Sequence, residues 1–487
     1  MKYSLLLLVV VLACSELTCQ NGKLYAKITK KTAGSASQES FQILSGTTVL
    51  YTSPSLVNNE ERELEVCLDP TTTGMYSLLM KDTSSYWTNG AWIQIEGING
   101  NLVFKGMMVA SKTETYQFSL YSPVNKGSTW KYTANASGNW KDVNYSDVLW
   151  VDVTTGSTTQ SATGNQYFRN VISISPDFAA FELQLNYRFG VVAYINGIEI
   201  YRDNMPEGEV QPSTLPAGVY PNYSYRGIIR SADAVVTSAC VLAVEVHPSM
   251  PTYQEVIEFN GFLSMLAGIA ADNQCFVLPY DPIVTNTGFN TPTNAFTWTY
   301  SSRAYSNAEE PTLTADFSAL VAAPLINGLR IWPYTSPTTG LSSFAVHTSD
   351  TASGTYTSFF ESDGNTYTSK VWKQFSRLPP AAPSKFYRLT AYNAVSSTTK
   401  AIYELQYMVC KLSPPASITF TLEKTSYYKN FEAVDIKPDM YGLNNCQISP
   451  NPPNGLTWNS QECSLTGIST ELLSQQTYTV TTMIGAT

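Results

Sequence analysis

Histidine is nearly absent from this sequence: 487 residues hold two, His247 and His347. They lie far enough apart to fall in different domains, so a Ser-His-Asp triad, a multi-histidine metal centre and a His-Glu-x-x-His zinc site are all without support. Charge is scarce too. Asp, Glu, Lys and Arg make up 14% of the chain, against about 25% in an ordinary soluble domain. The net charge is −9 with no basic block, which leaves nucleic acid no electrostatic footing. Beyond the N-terminus no apolar run reaches the roughly 20 residues that span a bilayer. Carboxylate-only glycoside chemistry survives these exclusions, because it needs two acids and no histidine. No acidic pair stands in a recognisable catalytic context, however, and the expectation is a protein that is not an enzyme.

Met1-Lys2-Tyr3-Ser4 followed by the apolar run from Leu5 to Ala13 has the form of a signal peptide, with cleavage after Ser15 or near Cys19. The leader is therefore drawn as residues 1–19, and the expected location is secreted or at the extracellular surface. In an oxidising compartment Cys67, Cys240, Cys275, Cys410, Cys446 and Cys463 favour disulfides, although six are few for a scaffold that depends on them. Asn135, Asn144 and Asn222 head Asn-x-Ser sequons and are candidates for N-glycosylation.

Nearly every periodic segment has period two. Ile93 and Ile95 share a face, and Asn99-Gly100 followed by Leu102 and Phe104 predicts a hairpin closed by a type I′ turn. Val192 to Ile195, Asn196-Gly197 and Ile198 to Ile200 repeat that construction. Further strands are expected at 242–246, 418–422 and 478–481. Helix-period segments with caps are nearly lacking, so the fold class is all-β, a set of tandem β-sandwiches. Turn-rich stretches at Ser122-Pro123, Leu278-Pro279 and Pro414-Pro415 divide the chain into 20–124, 125–279, 280–412 and 413–487.

In the first segment, Cys67, the run from Tyr76 to Asp82, Trp87 and Trp92 resemble small β-sandwich modules of protist and bacterial surface proteins. Ser85-Tyr86 replaces the Asp-Gly of that pattern, so structural calcium is unsupported and no cofactor is expected. Trp87 is a candidate sugar-stacking platform, with core packing as the alternative. The second segment carries Tyr167-Phe168-Arg169, the stretch from Gly190 to Glu199, Arg202-Asp203-Asn204-Met205-Pro206 and the strand from Val241 to His247. These resemble a galactose-binding-like jelly roll. Glu245 and His247 alternate with Leu242, Val244 and Val246, which places the pair on the face opposite the apolar one in a structural or solvent-facing role.

Asn294-Ala295-Phe296, Gly328 to Trp332, Phe344 to Asp350, Tyr387-Arg388-Leu389 and Tyr403-Glu404-Leu405-Gln406 resemble a divergent discoidin-like jelly roll. Such domains bind sugars, lipids or proteins through loops at one end, and Trp298, Tyr300, Arg303 and Trp332 are the candidate ligand residues. Val434 to Pro438, Cys446 to Pro450, Pro453 to Asn459 and Cys463 to Ser469 resemble an immunoglobulin-like, cadherin-like module, expected to lack a final strand. That resemblance implies a Cys446–Cys463 disulfide. The architecture expected is thus two jelly rolls between a smaller N-terminal sandwich and a C-terminal immunoglobulin-like one. The expected function is recognition, through glycan binding or adhesion; the alternatives are a structural spacer in an extracellular filament or matrix, and non-catalytic accessory modules of a larger secreted hydrolase. Expected partners are carbohydrate, a cell-surface or matrix protein, or further copies of the chain.

Overall fold

A computed structural model describes residues 19–84, 87, 90–108, 112–156, 159–174, 177–232, 240–249, 254–269, 274–298, 303–333, 340–362, 372–376, 382–395, 397–411, 426–436, 446–460, 464–472 and 477–482. Among them are many short strands, two 3₁₀ turns and no α-helix. Alternation builds the strands as expected. In Met75–Asp82, Tyr76, Leu78, Met80 and Asp82 are buried while the residues between them are half-exposed.

The protein consists of tandem β-sandwiches. In the first, the sheet ordered Glu61–Leu68, Leu24–Lys31, Trp92–Gly97, Leu102–Gly106 packs on the sheet ordered Thr48–Thr52, Glu39–Ser45, Met75–Asp82, Thr113–Ser119. In the second, a six-stranded sheet runs Val151–Thr154, Thr129–Thr133, Gln166–Ile172, Cys240–His247, Gly190–Ile195, Ile198–Asp203. Its opposite layer is Asn260–Leu266, Ala180–Tyr187, Ser224–Ser231 and Ala322–Pro324. The third combines a sheet built on Lys400–Cys410 and Gly328–Pro333 with a five-stranded sheet centred on Phe386–Ala394. Farther along, Ala433–Ile436, Ser464–Ile468 and Leu456–Asn459 form a small sheet, and Cys446–Ser449 pairs with Thr479–Thr482. The strand expected at 418–422 lies outside the described residues.

The first three sandwiches are not separate beads. Ala322–Pro324, contributed by the chain of the third, pairs parallel with Ser224–Ser231 and completes a sheet of the second. Cys275–Val277, which the division at 279/280 assigned to the second sandwich, pairs with Lys400–Cys410 of the third, and Cys275 is bonded to Cys410. A turn-rich proline stretch marks a loop, but it does not say on which side the preceding strand finds its partner. Cys19 is bonded to Cys67. Cys446 is disulfide-bonded, whereas Cys463 lies outside the described residues.

Asn196 and Gly197 have φ of 50° and 83°, as the type I′ hairpin requires. The Asn99-Gly100 turn differs. Only Gly100 is left-handed (φ 75°); its N–H donates to the Gly97 carbonyl at 2.9 Å, and Gly97 N–H donates to Asn101 O at 3.0 Å. This longer loop with a glycine bulge follows from the demands on Asn99, whose side chain is engaged elsewhere.

The Tyr167-Phe168-Arg169 signature has a mechanical role. Phe168 faces the core, and Arg169 points to the outer face yet is only 1% exposed. Its Nε donates to Asp147 Oδ2 at 3.0 Å, and its guanidinium nitrogens donate to the carbonyls of Trp140, of Asp142 at 3.0 Å and of Tyr145 at 3.2 Å. One side chain thus holds the 139–150 loop across the sheet. Trp140 of that loop lies edge-on to Tyr167 and Tyr194, with centroids 4.9 and 6.0 Å away. Glu245 and His247 sit on this outer face, as the alternation required, but they are buried rather than open to solvent: Lys141 of that loop reaches Glu245, and the chain around Thr214 lies on His247. Glu245 accepts from Tyr194 Oη at 2.6 Å, and His247 Nδ1 donates to Thr214 O at 2.9 Å. Burial alone would raise the Glu245 carboxyl; hydrogen bonds from His247 and Tyr194 and the nearby charges of His247 and Lys141 reverse that and lower it.

Replacing Arg169 by Met strands Asp147 and three carbonyls, and the expected cost is about 3–5 kcal/mol. Denaturant melts with limited proteolysis of the 139–150 loop measure it; an unchanged midpoint with an uncut loop would refute the assignment.

Candidate functional site

The expected ligand tryptophans are not at a free loop end. Trp87 is fully buried. Its indole N–H donates to Lys81 O at 2.9 Å, and Lys30 Nζ sits 3.7 Å from the ring centroid. It cannot act as a stacking platform. Trp298 and Trp332 are each 4% exposed and share an apolar cluster with Met107, Trp92 and Trp372. Met107 and Trp92 come from the first sandwich, so these indoles hold the chain's own N-terminal sandwich in place of a foreign ligand. Arg303 is half-buried, its carbonyl accepting from Thr291 and Asn294. Tyr300 lies outside the described residues. Asn135, Asn144 and Asn222 are all exposed.

What the structure brings together instead is a polar cleft where three sandwiches meet. Its organiser is the hairpin of Trp92–Gly97 and Leu102–Gly106. Along its body, Lys105 Nζ meets Asp281 Oδ2 at 2.7 Å, and the indole N–H of Trp298 donates to Asp281 Oδ1 at 2.6 Å. At its tip, Asn99 Nδ2 donates to Ser122 Oγ at 2.9 Å and to Asn125 Oδ1 at 3.0 Å. Asn99 Oδ1 accepts the Lys126 N–H at 3.0 Å, and Asn99 O accepts from Lys126 Nζ at 2.6 Å. Two residues on, Asn101 Nδ2 donates to Glu182 Oε2 at 3.1 Å.

Between hairpin and neighbours lies a cavity of about 350 Å³, lined by Gln94, Glu96, Asn101, Glu182, Gln184 and Tyr280, with Leu102, Leu320 and Val321 as its apolar part. That volume lies within the range of small-ligand pockets. Gln94 and Glu96 are half-exposed residues that alternate with buried Ile93 and Ile95, whereas on Ala180–Tyr187 the whole of Phe181 to Leu185 is buried except Gln184. Glu182 accepts from Gln184 Nε2 at 2.5 Å as well as from Asn101. Burial pushes its carboxyl up to about 7, against the opposing pull of those two hydrogen bonds and of the Lys126 charge. Burial also raises the Tyr280 hydroxyl well above its ordinary value, helped by the charges of Glu182 and Glu96. It therefore stays a neutral group able both to donate and to accept. Among the described residues no cluster of three or more His, Cys, Asp or Glu side chains is placed to hold a metal ion.

Sequence reasoning missed this cleft because its polar residues sit at ordinary alternate positions of two strands far apart in the chain. The available signal was local: Gln94 with Glu96, and Glu182 with Gln184, each give two amide or carboxylate groups on one side of an otherwise apolar strand.

No family model matches the chain, and no curated protein does. Among solved structures, one similar region is the family 32 carbohydrate-binding module of AlyQ in complex with 4,5-unsaturated mannuronic acid. It is 20% identical and covers 26% of this chain and 95% of that one, with a TM-score of 0.23. A family 32 module from Clostridium perfringens NanJ in complex with galactose is 16% identical over 28% of this chain and 98% of that one, with a TM-score of 0.23. Bacteroides uniformis beta-glucuronidase 2, covalently bound to cyclophellitol-6-carboxylate aziridine, is 10% identical over 61% of this chain and 32% of that one, with a TM-score of 0.24. At these scores the likenesses carry no functional argument, and the chemistry of the cleft has to carry its own.

The raised Glu182 carboxyl has a consequence for stability. An acid whose folded value lies above its unfolded one stabilises the fold fully below the unfolded value, about 4.5, and loses that contribution as pH rises through about 7. Between those limits the wild type should lose up to about 3 kcal/mol relative to Glu182→Gln. Denaturant melts of both proteins across this pH range measure the difference, and parallel curves would show that Glu182 does not titrate there.

Proposed function

We propose that the chain is an extracellular glycan-recognition protein and that the three-sandwich cleft is its sugar site. The observation that carries this reading is the lining itself. Gln94, Glu96, Asn101, Gln184 and Tyr280 combine amide donors, amide and carboxylate acceptors and an amphoteric hydroxyl beside an apolar strip of Leu102 and Leu320. A pyranose presents the matching pattern, hydroxyls around its rim and C–H groups on its face. Two acidic side chains make the cleft unfavourable to uronic acids and sialic acids and favourable to neutral or amino sugars.

An oxidising location agrees with the disulfides Cys19–Cys67 and Cys275–Cys410 and with the bonded state of Cys446. A leader removed after Ser15, rather than near Cys19, would leave the first of them intact. The cleft binds and does not turn over its ligand in this reading, with Glu182 held in position by Asn101 and Gln184.

Glycan-array screening of the full chain, followed by calorimetry on the best ligand, tests the proposal. Each of Gln94→Ala and Tyr280→Phe should weaken binding about 3- to 10-fold, the scale of one lost hydrogen bond. Retention of no glycan, or retention that both variants leave unchanged, would overturn the site.

A further inference from the structure

The N-terminal sandwich contains a lysine and a glutamate that its core does not require. Lys30 lies on Leu24–Lys31 in one sheet, and Glu39 opens Glu39–Ser45 in the other. Their side chains are 0% exposed, with Nζ 2.6 Å from Oε2. The lysine also donates to Lys31 O at 2.7 Å, and the Trp87 ring covers it. The other carboxylate oxygen, Glu39 Oε1, is buried and has no hydrogen-bond partner among the described residues. Asp82, 5% exposed, stands directly opposite Glu39 in the neighbouring strand.

Such an arrangement is costly as an ion pair. Two charges are withdrawn from water, and one oxygen is left without a donor. As reactants, the same groups are well placed: nucleophile and electrophile are in contact, water is excluded, and the rigid sheets hold them there. Burial pushes the lysine down to about 8, against the attraction of Glu39, which favours the neutral amine.

We propose that Lys30 Nζ and Glu39 Cδ condense to an amide, a covalent cross-link between the two sheets made by the folded chain itself. A proton first passes from the ammonium to the carboxylate, leaving a neutral amine and a neutral acid. The nitrogen lone pair adds to Cδ, forming the C–N bond. A proton from nitrogen then moves to a hydroxyl oxygen, with Asp82 as the carboxyl placed by strand register to relay it. The C–O bond breaks and water leaves. One ammonium and one carboxylate become one amide and one water, with no oxidant, reductant or second substrate. The product N–H can keep its bond to Lys31 O, while the oxygen without a partner departs as the water.

Intact-mass and peptide mass spectrometry on the purified full chain test this. After reduction of the disulfides, the wild type should be lighter than its sequence by one water. A tryptic digest should give a linked pair of peptides containing Lys30 and Glu39, with no cleavage after Lys30. Lys30→Arg keeps the charge but lacks the amine, and should show the unshifted mass and cleavage at position 30. In Asp82→Asn the linked fraction should fall at least tenfold; undiminished linkage would remove Asp82 from the step. Folded wild-type protein with the full sequence mass, and with free cleavage after Lys30 once denatured, overturns the proposal.

Discussion

The cleft exists because one hairpin tip is buried against a neighbouring sandwich. Asn99 uses both ends of its amide and its main-chain carbonyl on Ser122, Asn125 and Lys126, and Asn101 adds Glu182. Buried polar groups tolerate little displacement, because a lost partner leaves an unsatisfied atom in a medium of low dielectric. The tip is therefore fixed in position as well as attached. The hairpin body is fixed separately, by Lys105 and Asp281 against Trp298. Two anchors on two different neighbours determine the orientation of the first sandwich, and the cavity is the space left between them.

A chain with so little charge still places some of it inside. Arg169 carries a loop, Glu182 ties a strand to a hairpin, and Lys30 faces Glu39 across the first core. In the third sandwich, Arg330 Nε donates to Gln406 Oε1 at 2.7 Å, and the Trp298 N–H donates to Glu404 Oε2 at 3.1 Å. Buried charges of this kind add little net stability compared with apolar residues of the same shape, but each admits only a narrow set of geometries.

Period-two alternation was enough to read the fold class, and Asn196-Gly197 announced its hairpin because the two central residues needed left-handed backbone and were the types that accept it. The burial of Trp87, Trp298 and Trp332 was not legible. A tryptophan beside a turn looks the same in sequence whether its ring meets a sugar, its own core or a neighbouring domain. For Trp298 the deciding residues, Lys105 and Asp281, stand far apart in the chain and meet only after docking. Glu245 and His247 were placed on the correct face by alternation; their burial depends on loops from elsewhere in the chain, the one held by Arg169 at Glu245 and the one around Thr214 at His247, a long-range effect with no local signature. The cleft combines both difficulties, since its two polar pairs face each other only when two sandwiches have already met.

The short parallel strand Ala322–Pro324, completing a sheet in the second sandwich from within the third, bears on how such a protein can change over generations. Domains joined by linkers can be duplicated, exchanged or dropped singly, because each keeps its own sheet edges covered. Here, removing the third sandwich would uncover an interior edge of the second and leave hydrogen-bonding groups open to any passing chain. A breakpoint between the second and third sandwiches would therefore cut through a shared sheet, so these two are expected to be exchanged as one unit.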